Sequence, residues 1–236
     1  MQNFFKTSCT TTACPCYIMK QLIAIVITFL IGHPLFAQDN LVSKQYRSIK
    51  EVEGDLDKDG LAEKAVVYNM PGNEDEGAGI DRELVIFKKE GAAWVIWQRS
   101  VNAVGNSKDG GMMGDPFEGI EIKNGLLLIR QSGGSSWKWS HTDKYRFQNG
   151  SFELIGYTGS YGRPCEYWEH VDFNVLTGNI IFSKEYETCD AADKQEVYKR
   201  ENEHFLYKLQ QKITLKDRNK AEVKIITPLY KHELNL

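Results

Sequence analysis

Asp55, Asp57 and Asp59 stand at alternate positions in the turn Gly54-Asp55-Leu56-Asp57-Lys58-Asp59-Gly60, and Glu63 follows three residues later. Carboxylates crowded into one turn repel one another, and a hard divalent cation with oxygen ligands relieves that repulsion best. In a D-x-D-x-D-G spacing the first, third and fifth positions offer side-chain oxygens, and the seventh offers a backbone carbonyl. Those positions are Asp55, Asp57, Asp59 and the carbonyl of Leu61. Gly60 falls where the chain must turn through positive φ, which glycine does without strain. The expectation is one bound calcium ion. The competing reading is a solvated acidic turn, since Asp and Gly are ordinary turn residues.

A helix–loop–helix site would need a bidentate Glu at the twelfth position. Val66 stands there, and the run Ala65-Val66-Val67-Tyr68 is β-prone. The turn should therefore join a strand near 48–53 to one at 64–68. Gly-Asp-x-Asp-x-Asp-Gly-x-x-acid before a β-branched strand resembles the calcium loop of FG-GAP and VCBS repeats. That resemblance covers about twenty residues and implies a fourth side-chain ligand at the ninth position, Glu63. Those propellers carry several copies. Here there is one copy and no internal repeat, so a complete propeller is not expected.

Chemistry could also reside elsewhere. His141 and Asp143 share one face of a strand-like run and could do acid–base work. The structural alternative is a bulge, a strand end or a pair that satisfies itself. Asp115, Asp143, Glu166 and His141 are the candidate groups of a carboxylate-pair or metal-assisted hydrolase acting on an envelope or extracellular polymer. No G-x-S-x-G elbow, H-E-x-x-H or Walker loop is present. The glycine-rich stretch 106–117 lacks the following helix that a phosphate cradle needs.

The elements that would hold these groups read as strands. Asn124-Gly125 and Asn149-Gly150 are favoured type I′ turns. They pair Ile122 with Leu127, Ile120 with Ile129, Phe147 with Phe152 and Tyr145 with Leu154. On the opposite face Arg146 meets Glu153, a supporting charge pair. Odd positions from Trp137 to Phe147 form a mainly aromatic face opposite a polar one, as on a half-buried strand. Further strands are expected at 83–88 and 94–101, with loops at 70–79 and 106–117. The acids Glu74, Asp75 and Glu76 suit a solvated loop. A hairpin of 166–174 against 179–188, turning through Leu176, Thr177 and Gly178, sets Cys165 opposite Cys189. A disulfide is expected there; a nucleophilic Cys165 beside His170 would need a free thiol. Residues 191–208 read as a short helix or exposed linker, 213–216 and 223–228 as closing strands, and the stretch from Leu229 as featureless.

The chain begins with an 18-residue stretch, polar overall and rich in Thr and Cys, that suits a mis-assigned upstream extension. Cys9, Cys14 and Cys16 lie in it without partner residues for a metal cluster. From Met19-Lys20, a ten-residue apolar run (22–31) leads to Ala37, which describes a signal peptide over 19–37. The run is too short for a membrane span. Residues 38–236 then form a single β domain, periplasmic or secreted. Removing Lys6, Lys20 and no acid takes the formal charge from −3 to −5. That gives no footprint for nucleic acid.

The order of features is similar to a group of exported bacterial proteins that carry one such loop. The acidic turn comes first, then Gly110-Gly111-Met112-Met113-Gly114-Asp115-Pro116-Phe117 and an Asn-Gly hairpin. Gly133-Gly134-Ser135-Ser136-Trp137-Lys138-Trp139-Ser140, Tyr145-Arg146-Phe147 and Phe152-Glu153-Leu154-Ile155-Gly156-Tyr157 follow. The resemblance implies an exported β protein and transfers no activity. The fold expected is all-β, an antiparallel meander of about 10–12 strands as sandwich, barrel or partial propeller, with at most one short helix. The function expected is non-enzymatic: a calcium-braced module that binds a glycan, a peptide or an envelope protein, or only scaffolds. Tyr161, Tyr167 and Trp168 are the exposed aromatics that would make such contacts.

Overall fold

The acidic turn joins β1 (Arg47–Gly54) to β2 (Glu63–Asn69), which pair antiparallel from Arg47↔Asn69 to Gly54↔Glu63. The computed structural model describes residues 41–72, 77–190, 194–221 and 223–236. The expected extension, signal peptide and cleavage after Ala37 lie outside these, as do Cys9, Cys14, Cys16, Glu74, Asp75 and Glu76. Asn40–Leu236 is one compact unit. No helix among the described residues is long and apolar enough to cross a membrane.

With β3 (Arg82–Glu90) and β4 (Ala93–Ser100), the first two strands form a four-stranded sheet in chain order. A second meander of seven strands follows. It comprises β5 (Phe117–Lys123), β6 (Leu126–Gly134), β7 (Lys138–Gln148), β8 (Ser151–Arg163), β9 (Tyr167–Asn174), β10 (Asn179–Cys189) and β11 (Gln195–Leu206). After a 3₁₀ turn at Arg218–Lys220, β12 (Lys224–Ile226) and β13 (Glu233–Asn235) make a small sheet of their own. The chain is all-β and antiparallel, with neither large sheet closed into a barrel. Among the described residues there are thirteen strands, slightly more than expected.

The two large sheets share one core, as in a sandwich. Ala65, Val67, Leu84 and Ile86 come from the first sheet, and Ile120, Leu127, Ile129, Tyr145 and Phe152 from the second. The other face of β2 and β3 is also covered, by a smaller cluster around Val66, Val85 and Phe87. Burial on both faces explains why these strands read as unbroken apolar runs rather than alternating ones. A bulge at Ile86/Phe87 leaves Trp97 of β4 unpaired in the ladder. Its indole packs against Phe147 at 4.2 Å and Phe152 at 5.1 Å, across the gap between sheets. Bulges commonly re-aim a side chain in this way.

Both Asn-Gly turns have the expected positive φ at each central residue, with Asn124 at 55° and Asn149 at 52°. Their ladders pair Ile122 with Leu127, Ile120 with Ile129, Tyr145 with Leu154, Phe147 with Phe152 and Arg146 with Glu153. Three expectations are corrected. The β9–β10 hairpin pairs Asn174 with Asn179, so its loop holds Val175 as well as the three residues expected. Gly178 still takes the left-handed conformation, and its N–H donates to the Asn174 carbonyl at 2.9 Å. The ladder ends at Tyr167↔Tyr186, and beyond it Cys165 and Cys189 form the disulfide. The charged stretch after 191 is neither helix nor linker over its length, because Gln195–Leu206 is edge strand β11. Finally, 213–216 forms no named strand, though it lies antiparallel against β8, with the Leu154 N–H donating to the Ile213 carbonyl at 2.8 Å and the Leu215 N–H to the Phe152 carbonyl at 3.1 Å; β12 pairs with β13 instead of closing the main sheet.

Candidate metal centre

Leu56 is the only apolar residue inside the acidic turn, and it is 1% exposed in the core that both sheets share. Plugging it in drags the loop against the second sheet. A Cβ at Gly54 would meet Ile122 Cγ2 at 2.5 Å, and one at Gly125 would meet Lys58 Cε at 2.9 Å. The turn therefore rests on the β5–β6 hairpin.

The loop braces itself through its own carboxylates. Asp55 Oδ1 accepts from the Lys58 N–H at 2.6 Å and its Oδ2 from the Gly60 N–H at 3.0 Å. Asp59 Oδ1 accepts from the Leu61 N–H at 2.8 Å. Gly60 has φ +89°, and Lys58 supplies a second left-handed residue at +66°.

Glu63 opens β2 and is fully buried. Its Oε2 accepts from the Leu56 N–H at 2.7 Å, whereas its Oε1 is buried without a hydrogen-bond partner. Burial raises its pKa foremost; the Leu56 N–H opposes this, and the charges of Asp57 and Asp59 raise it further. Ligating oxygens of Asp55, Asp57 and Glu63 lie within 4.8 Å of one another. The structure thus brings three of the expected ligands together and leaves Asp59 outside that trio. The Leu61 N–H and the Lys88 ammonium together hold the Asp59 carboxyl below its ordinary range. Leu61 itself is exposed.

Lys88, near the end of β3, was not legible as part of the site. Its ammonium pairs with Asp57 and, at 3.1 Å, with Asp59, while standing 5.3 Å from the Trp97 ring centroid. It pairs with neither Asp55 nor Glu63. A buried carboxylate oxygen with no donor costs free energy unless a cation or proton meets it. The donor set is all oxygen and acidic, which suits calcium. The residues fit the ion.

A scan against protein-family models finds no match, and a search of the curated proteins finds none.

The other candidate groups do not converge on a catalytic centre. Asp115 is bound through both carboxylate oxygens by Arg82, which is 3% exposed. Asp143 is fully buried, and its Oδ2 accepts from Arg218 Nε at 2.6 Å and from the Tyr145 hydroxyl at 3.2 Å. His141 stacks between Trp139 and Tyr157, with centroids at 5.5 and 5.9 Å. Burial lowers its pKa foremost, with Asp143 opposing and Arg218 reinforcing that shift. Glu166 sits exposed beside Cys165, whose sulfur is bound in the disulfide. The stretch 106–117 is folded on itself: the Asn106 N–H donates to Asp109 at 2.7 Å and the Gly111 N–H to the Lys108 carbonyl at 3.1 Å. A strand follows it, not a helix.

Proposed function

We propose that this protein is an exported β protein that binds one calcium ion at its β1–β2 loop and serves as a non-enzymatic binding or scaffolding module of the cell envelope. Asp55, Asp57 and Glu63 are the side chains that would hold the ion, with Asp59 and the Leu61 carbonyl as the further ligands that the loop's sequence suggests. One observation carries the reading: Glu63 is wholly out of water with a carboxylate oxygen unpaired, beside two further carboxylates. An ordinary acidic turn keeps its charges solvated; here Asp59 is exposed, but Asp55 and Asp57 are half-buried and Glu63 wholly so. The Cys165–Cys189 disulfide supports residence in an oxidising compartment, periplasmic or extracellular.

The ion would fasten the loop where the first sheet meets the β5–β6 hairpin. Thermal unfolding of the protein in calcium and in chelator, beside Asp57→Ala, tests this. A ligand bound only by the folded state raises its melting temperature by mass action. The expected result is a calcium-dependent rise that Asp57→Ala loses. No shift at millimolar calcium would return the loop to the status of an acidic turn.

A further inference from the structure

The ladder registers of β7 to β11 place Trp139, Tyr161, Glu169, Lys184 and Glu201 in a single row on one face of the large sheet. Four of these five, with Tyr167 and Arg218, line a cleft of about 830 Å³ on the same face. That volume is ordinary for a small-molecule site. Its floor is low because Gly159 sits between His141 and Val171 in the next row.

The cleft carries charges but no uncompensated charged side chain. Lys184 Nζ pairs with Glu169 at 2.7 Å and stands 3.6 Å from the Tyr167 ring centroid. Arg218 pairs with Asp143 at 2.6 Å, His232 with Glu201 at 2.6 Å, and Glu233 with Lys224 at 2.6 Å. An anion would find each cation already neutralised, and a cation would find each side-chain carboxylate taken. A wholly apolar ligand would strip water from these polar groups without replacing it. What remains is a neutral ligand with many hydroxyls and at least one apolar face.

The rings refine that class. The near-parallel pairs are closed on each other: Trp137 on Tyr161 at 5.4 Å and 10°, and Trp139 on His141 at 15°. No slot for a flat aromatic ligand is left between them. Tyr161 is 42% exposed, from the side that Trp137 does not cover. The Tyr167 ring is covered by Lys184 Nζ at 3.6 Å and by Trp137 at 5.0 Å, so Tyr161 is the one open platform of this group. Aromatic side chains give a large apolar surface with a polar tip. Paired charges keep hydrogen-bonding capacity: Arg218 meets Asp143 through Nε, and a guanidinium has four further N–H donors.

We propose that this cleft binds a neutral oligosaccharide, with a sugar face on Tyr161 and hydroxyls bonded by Glu169, Arg218 and His232. The proposal is independent of the ion at the β1–β2 loop. It is tested by titration calorimetry of the full-length protein, in calcium and in chelator. The probes are the neutral β-1,4-glucose, β-1,4-N-acetylglucosamine, β-1,4-xylose and α-1,4-glucose hexasaccharides, beside the anionic galacturonate hexamer. The expected result is binding of at least one neutral probe at about millimolar affinity or better, insensitive to added salt. Tyr161→Ala should weaken it by about tenfold at unchanged melting temperature, while Tyr161→Phe, which keeps the ring, stays within about twofold. Chelator should leave it unaltered. The proposal falls if no neutral probe binds, if Tyr161→Ala binds as well as the parent, or if the galacturonate hexamer binds best with salt-dependent affinity.

Discussion

Glu63 Oε2 accepts the Leu56 backbone N–H at 2.7 Å, which ties the loop's one fully buried carboxylate to the residue that plugs the loop into the core. Ion binding and core packing therefore meet at a single hydrogen bond, and two substitutions separate them. Leu56→Ala removes buried side-chain volume and should cost about 2–5 kcal/mol whether or not calcium is present. Glu63→Gln removes a buried charge with an unpaired oxygen. In chelator its melting temperature should be no lower than the parent's, and in calcium it should lose most of the rise. A Glu63→Gln protein that keeps the full calcium shift would show that Glu63 is a core residue only.

Lys88 offers the second prediction. Its ammonium neutralises Asp57 and Asp59, so it stabilises the loop without an ion and opposes an incoming dication. A unit charge and a dication about 5 Å apart in high dielectric repel by roughly 1–2 kcal/mol. Lys88→Met should therefore lower the melting temperature in chelator and tighten calcium binding by about tenfold at low salt. Calorimetric titration of calcium into the variant reads this directly. Unchanged affinity would mean that the ammonium moves clear of the loop when the ion binds.

The loop and the two Asn-Gly hairpins were legible because local chemistry sets them: alternate aspartates before a glycine, and residues that tolerate positive φ. Strand β11 was not. Its inward side chains include Glu201 and Glu203, which are 5% and 7% exposed. Glu203 accepts the backbone N–H groups of Leu229 at 2.7 Å and Tyr230 at 3.1 Å. A strand that buries carboxylates against partners distant in sequence shows no apolar alternation to read. The cleft row was hidden for a related reason. It draws one residue from each of five strands, so it exists only once every register is fixed. The four-residue loop between β9 and β10 shows the limit of turn chemistry, since Gly178 fixed where the left-handed residue falls but not how many residues precede it.

The disulfide supplies a third prediction. Cys165 and Cys189 are 24 residues apart and close the open end of the β9–β10 hairpin. On chain-entropy grounds a link of that span stabilises by about 3 kcal/mol. Replacing both cysteines by alanine should lower the denaturant midpoint accordingly and leave the calcium-dependent shift intact, because the loop is held by β1, β2 and the β5–β6 turn. Loss of the calcium shift in that variant would instead couple the hairpin to the metal loop.

The last prediction concerns acid. Glu201 accepts from Lys199 at 2.6 Å, His232 at 2.6 Å and the Tyr186 hydroxyl at 3.1 Å. Lys199 foremost, against the opposing effect of burial, holds its pKa down at about 2. An unfolded glutamate titrates at about 4.3. The folded state thus binds this proton less tightly than the unfolded state, so the group adds stability above the ordinary value and loses it as pH falls from about 4.5 towards 2. Glu201→Gln should be less stable than the parent at neutral pH, lose less stability through that window, and converge on the parent near pH 2. His141 adds a separate loss below about 6.5, because burial lowers its pKa, but parent and variant share it and it cancels. Urea midpoints measured at intervals from pH 7 to pH 2 give both curves. Parallel curves would mean that the three donors of Glu201 no more than offset the cost of its burial.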